Sequence, residues 1–198
     1  MNLADYQQWH IPFSRDDITL QMALDSMASV TSSLNEAPLM ISLLEKAQSV
    51  LPGVDLFAAG FDLFQHDCIH ILLGRGLLAA DEAFTIGFTL GCAKKTTNTE
   101  YSLYAFVSQR LYPNVHKFTE HEIAILKDAI RLSFISNCVA LDCFDFSKWL
   151  DEPVGTIRDV VGIEADLIAA SYAVEKRRYP HSLAAQRLLP DEKKLIAF

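Results

Sequence analysis

The sequence predicts an all-α fold, a single-domain bundle of roughly seven to eight helices, from three observations. Apolar residues recur at helical spacing along most of the chain. Hairpin signals such as Asn-Gly or Asp-Gly between alternating segments do not occur. Proline and glycine punctuate the periodic runs, where they end helices. With 198 residues, 51% hydrophobic and 21% charged, and no Gly/Ser/Pro-rich linker, the chain is expected to form one domain over 1–198.

The first helix is expected from Asp16 to Ser32, where Ile18, Leu20, Met22, Ala23, Leu24, Met27 and Val30 form an apolar stripe and Ser14 is a candidate N-cap. A second should run from Asn35 to Leu51 and stop at Pro52-Gly53. A third spans Val54 to Leu73 and ends at Gly74-Arg75-Gly76, where two glycines relieve the steric limits on the backbone. The next, Ala80 to Ala93, follows so soon that the two should be antiparallel neighbours. Lys94 to Glu100 reads as a loop, and Tyr101 to Tyr112 as a helix stopped by Pro113. Thr119 with Glu122 three residues later forms a capping box. The apolar run from Ile123 to Phe144 then predicts a central helix buried on most sides. Short helices from Pro153 to Val161 and from Glu164 to Arg178 complete the set, with Tyr179-Pro180 ending the last.

A net charge of -8 opposes binding to phosphate backbones, so nucleic acid is not an expected partner. The one basic cluster, Lys176-Arg177-Arg178, reads first as a cationic last helical turn and second as a lipid-headgroup contact. Cys68, Cys92, Cys138 and Cys143 lack C-x-x-C spacing and fit a reducing cytoplasm. The opening residues resemble neither a secretory signal nor a transit peptide, and no run approaches the roughly 20 apolar residues of a membrane span. Membrane contact is therefore expected only as a peripheral one, at the inner membrane.

Chemistry concentrates in Phe64-Gln65-His66-Asp67-Cys68-Ile69-His70. His66 and His70 are four apart, and Asp67 and His70 three apart, so a helix brings all three toward one point. Eleven residues then separate His70 from Glu82, enough for the chain to turn and return that carboxylate opposite the histidines. Two imidazoles and carboxylates suit a divalent metal, zinc first, with iron, cobalt or manganese accepted by the same donors. Asp62, one turn before His66, is a candidate to orient a ligating histidine from behind. The alternative for these residues is a hydrogen-bonded polar cluster within a helical core, with Glu82 placed by the helix dipole. The pattern also approaches H-E-x-x-H, but Asp67 replaces the glutamate, and its shorter reach favours direct ligation over activation of water.

His66-Asp67-x-x-His70, eleven residues and Glu82 resemble the signature of the ubiquinone-biosynthesis family called coenzyme Q protein four. Further on, Asp145-Phe146-Ser147-Lys148-Trp149-Leu150-Asp151-Glu152-Pro153 through Arg158 and Gly162-Ile163 resembles that family's closing segment. The resemblance covers residues 54–163. Gly60-Phe61-Asp62-Leu63-Phe64-Gln65 stands where the family carries an Arg-Tyr pair. It implies a metal-binding helical protein that acts on or presents polyprenylated quinone precursors at a membrane surface, beside other quinone-biosynthesis proteins. Its metal ligands would be His66, Asp67, His70 and Glu82, and its chemistry C1 oxidative decarboxylation of the aromatic ring. A non-catalytic scaffold binding isoprenoid lipid around a structural metal is the second expectation, and a metal-dependent hydrolase the third. Residues 164–198 form a C-terminal extension whose Leu167, Ile168, Tyr172 and Val174 suit core packing or a homodimer contact before membrane docking.

Overall fold

A computed structural model describes residues 7–31, 63–94 and 118–189. The candidate helices at 35–51 and 101–112, the segment 54–62 with Asp62, and the loop residues 95–100 lie outside the described residues. The described backbone is helical: α1 Leu20–Thr31, α2 Leu63–Leu73, α3 Ala79–Cys92, α4 Glu120–Ile135, α5 Val154–Val161, α6 Ala165–Arg178 and α7 Leu183–Gln186. Two 3-10 turns, Leu141–Cys143 and Phe146–Trp149, lie between α4 and α5. No strand occurs among these residues, and a lone antiparallel bridge pairs Thr19 with Pro153.

In α1, Leu20, Ala23, Met27 and Val30 are buried along one face, as the stripe predicts. Its start differs from expectation. Thr19, not Ser14, caps it, its Oγ1 accepting the Met22 N–H at 3.2 Å. The chain before Leu20 is drawn into the 150–155 turn instead. Val154 N–H donates to Ile18 O at 2.8 Å, and Leu20 N–H donates to Glu152 O at 3.1 Å.

Among the described residues the central helix is α3, not the 123–144 run. Every residue of α3 except Ala79, Glu82 and Leu90 is buried. Gly87 makes this possible on the α4 side, because a Cβ there would lie 2.5 Å from Leu126 O and 3.0 Å from Ala129 Cβ. The absent side chain lets the two helices close on each other. α4 begins at the predicted capping box, with Thr119 N–H donating to Glu122 Oε2 at 2.8 Å and His121 N–H donating to Thr119 Oγ1 at 3.2 Å. It ends nine residues before Phe144, and its last turn leaves Phe134 and Ile135 exposed. Ser136 adopts extended backbone, and the Glu164 carboxylate takes the Asn137 N–H and side-chain amide, each at 2.9 Å. Val139 N–H then donates to Val161 O at 2.9 Å. Long-range partners thus satisfy the backbone groups that a longer helix would have satisfied locally.

The end of α2 is fixed with unusual thoroughness. Gly74, at φ +66, donates its N–H to Ile71 O at 3.1 Å, and Arg75 N–H donates to His70 O at 2.9 Å. This is a Schellman closure around a left-handed glycine. The remaining carbonyls meet buried side chains: Arg158 Nε donates to Leu72 O at 2.8 Å, and Tyr172 Oη donates to Leu73 O at 2.5 Å. Tyr172 belongs to α6, so the C-terminal extension is core structure as far as Leu189. Ile168, Tyr172 and Glu175 of α6 are buried, while Val174 is exposed. Two members of the basic cluster bond beyond their own helix, while Arg177 and Arg178 remain exposed. Lys176 Nζ donates to Leu189 O at 3.0 Å, and Arg178 pairs with Asp128 at 2.7 Å. No helix among the described residues is long and apolar enough to cross a membrane.

Candidate metal centre

α2 is apolar on nearly all sides, with Ile69, Ile71, Leu72 and Leu73 fully buried. His66 and His70 lie in this setting at 3% and 1% exposure. Being one turn apart, their rings meet edge to face, with centroids 4.5 Å apart and planes at 81°. Their Nε2 atoms are 2.9 Å apart. The Gly74–Leu78 turn returns the chain, and Glu82 in the first turns of α3 presents its carboxylate to both rings. Oε1 is 3.0 Å from His66 Nε2, and Oε2 is 3.1 Å from His70 Nε2.

These three residues each offer one ligand atom within 4.8 Å of the others, and Asp67 is not in that group. Asp67 lies beside His66, half-buried, where its charge favours the imidazolium form of that ring. The geometry therefore joins His66, His70 and Glu82 and leaves Asp67 as a neighbouring anion. Cys68 is buried and belongs to the core side of the helix.

Thr85, one turn after Glu82, places Oγ1 3.3 Å from His70 Nδ1. Thr89 Oγ1 in turn donates to Thr85 O at 2.8 Å. Neither threonine stands out in the sequence as a site residue, because buried threonines are ordinary in a helix facing a core. The spacing 82, 85, 89 on one helical face is the signal that points to them.

Burial opposes charge on Glu82, but the charge of His66, its hydrogen bond and those from His70 outweigh it and hold the carboxyl well below its usual range. Burial likewise opposes charge on His66, and Glu82 overcomes it, raising that imidazole. A raised histidine contributes stability that is complete below its unfolded value of about 6.5 and is lost as pH rises through the folded value. A lowered carboxylate contributes stability that is present above about 4.5 and is lost as pH falls. In metal-free protein the pair should therefore stabilise most between about pH 4.5 and 6.5. Urea midpoints of wild type and Glu82→Gln are expected to differ most at pH 5.5, to differ less but still measurably at pH 3, where the folded carboxylate stays ionised, and to approach each other as pH rises toward 9. A constant difference across that range would refute the pairing.

Two imidazole nitrogens and one carboxylate are the donor set of three-ligand sites that hold zinc, or iron, cobalt and manganese, with coordination positions left open. The half-buried carboxylate between two rings fits such an ion, because a divalent charge would offset its desolvation more fully than one imidazolium.

Other buried charges leave no mark in the local sequence. Arg75 is wholly buried and forms a bidentate pair with Glu175, at 2.9 and 2.6 Å. Asp81, also wholly buried, accepts the Leu78 N–H at 3.1 Å and pairs with Arg187. Each partner lies about a hundred residues away, so local spacing carries no trace of it. Comparison with known protein families, with characterised proteins and with solved structures finds no match for this chain.

Proposed function

We propose that this is a divalent-metal-binding protein of ubiquinone biosynthesis that acts on or presents a polyprenylated quinone precursor. The observation that carries the metal half is the convergence of His66, His70 and Glu82 from two helices, with every donor distance between 2.9 and 3.1 Å. The quinone half rests on the likeness of the His66–Glu82 and Asp145–Ile163 segments to the coenzyme Q protein four family. A groove of about 580 Å³ between α4 and α6 offers an apolar strip of Ile125, Leu132, Ile135, Leu167 and Val174 for a lipid tail, flanked by the charged Asp128, Arg131, Glu175 and Arg178.

Zinc is the first metal, with iron, cobalt or manganese compatible with the same residues. A bound ion would supply Lewis acidity toward oxygen substituents of an aromatic ring and stabilise the negative charge that develops as carbon dioxide leaves, while the oxidant of an oxidative decarboxylation would have to come from a separate co-reactant. The protein's own part is to hold two imidazoles and one carboxylate fixed before any ligand arrives, with His66 releasing its proton as an ion enters. Asp67 keeps an anionic flank beside His66, which opposes a second anion on that side.

A scaffold reading keeps the metal but gives it a structural role, and the near-complete burial of both histidines favours it. In that case His70→Ala loses thermal stability and partner assembly together. In the catalytic case assembly survives while turnover fails.

The deciding experiment is elemental analysis of gently purified protein beside His66→Ala and Glu82→Ala, with solvent extraction for co-purified prenyl lipid. Stoichiometric metal in wild type and its loss in both variants is the expected result. Metal-free wild type would defeat the proposal, and metal without prenyl lipid would defeat its quinone half.

A further inference from the structure

We propose that Thr85 is a positioning residue that lets His70 exchange ring tautomers as a divalent ion enters, its hydroxyl serving either ring state. The proposal rests on the metal-binding reading of His66, His70 and Glu82.

His70 is 1% exposed, so both of its ring nitrogens need partners within the protein. Nε2 faces Glu82 Oε2 at 3.1 Å and His66 Nε2 at 2.9 Å, and Nδ1 faces Thr85 Oγ1 at 3.3 Å. Without an ion, the neutral ring satisfies the carboxylate by carrying its hydrogen on Nε2. Nδ1 is then an acceptor, and the Thr85 hydroxyl donates to it. An ion takes the Nε2 lone pair, so the hydrogen must move to Nδ1. Nδ1 then donates, and Thr85 Oγ1 accepts. The ring's proton count and charge are unchanged between the two tautomers.

A backbone carbonyl at this position would serve only the loaded ring, and a backbone N–H only the empty one. A hydroxyl rotates to serve both. Thr85 is also firmly held in place, because it is wholly buried and its β-branched side chain is stiff at χ1. Because Glu82 and Thr85 are three apart on α3, the helix that supplies a ligand also supplies the group behind another.

The test is titration of metal-free wild type, Thr85→Val and Thr85→Ser with Co2+, followed by visible absorption. Long-range nitrogen–proton spectra of the His70 ring are recorded on the same samples. Valine keeps the shape and removes the hydroxyl, and is expected to weaken Co2+ binding by about 10- to 100-fold. Serine should bind close to wild type, and the wild-type ring hydrogen should pass from Nε2 to Nδ1 on loading. Melting of the metal-free variants separates this effect from a folding defect. Valine binding as tightly as wild type, or serine as weakly as valine, overturns the role of Thr85 alone. Wild type that takes up no Co2+ overturns the metal reading beneath it.

Discussion

Chelation is expected to lower the thermal midpoint of metal-loaded wild type by about 5–10 °C and to leave that of His70→Ala unmoved. An ion present at a hundred times its dissociation constant stabilises the folded state by about 2.7 kcal/mol, provided the unfolded chain does not bind it. For a domain of this size, each kcal/mol moves the midpoint by about 2–4 °C. The effect should be this large because the ion joins α2 and α3, whose donors are already within 2.9–3.1 Å of one another, so loading orders little that was free. Part of the gain is forfeited because the ion displaces the pairing of Glu82 with the two rings. His70→Ala starts from a lower midpoint, since it removes a buried side chain, and the informative quantity is the difference that chelator makes within each protein. A chelator effect of equal size in both places the ion elsewhere. No effect in either removes the metal altogether.

How far the site is legible in the sequence follows from the range of the forces that build it. The spacing of His66 and His70 fixes their shared face through helix geometry alone, and Gly74 marks the turn that brings Glu82 back. Both are local facts, and both appear in the structure. Asp67 is equally close in sequence, but its position next to His66 puts it outside the group that His66, His70 and Glu82 form. The end of α4 is not legible, because the residues that stop it, Glu164 and Val161, come from another part of the chain. An apolar run reads as a long helix only while nothing else satisfies its backbone. Local patterning misplaces the central helix for a related reason. Exposed Phe134 and Ile135 count as core in any local tally, whereas the small residues of α3, Gly87 among them, record how closely its neighbours approach. The all-α class survives these errors because it depends on periodicity summed over many segments and not on any one boundary.

Glu175→Ala is expected to destabilise the protein by about 3–5 kcal/mol, measured as the shift in urea unfolding at pH 7. Arg75 has no exposure to solvent. Its guanidinium is held by both Glu175 oxygens at 2.9 and 2.6 Å and by Tyr172 Oη at 3.3 Å, and lies 3.7 Å from the Phe84 ring centroid. Removing Glu175 takes away its bidentate carboxylate and leaves a buried cation with an imperfect substitute. Asp81 Oδ1 is 4.0 Å from Arg75 Nη1, and Arg187 already occupies the other oxygen of that carboxylate. A bidentate pair in a dry interior need not be better than a well-packed apolar pair, so Arg75→Met with Glu175→Leu should recover much of the loss. The double-mutant cycle distinguishes the two contributions: strong coupling means that the single variant suffers from an orphaned charge, and weak coupling that it suffers from lost packing. The consequence reaches the histidines, because Arg75 N–H donates to His70 O and Tyr172 holds Leu73 O at the end of the same helix. If Glu175→Ala instead costs under about 1 kcal/mol, Asp81 has taken over the guanidinium, and α6 is a cover on the metal-bearing helices and not their clamp.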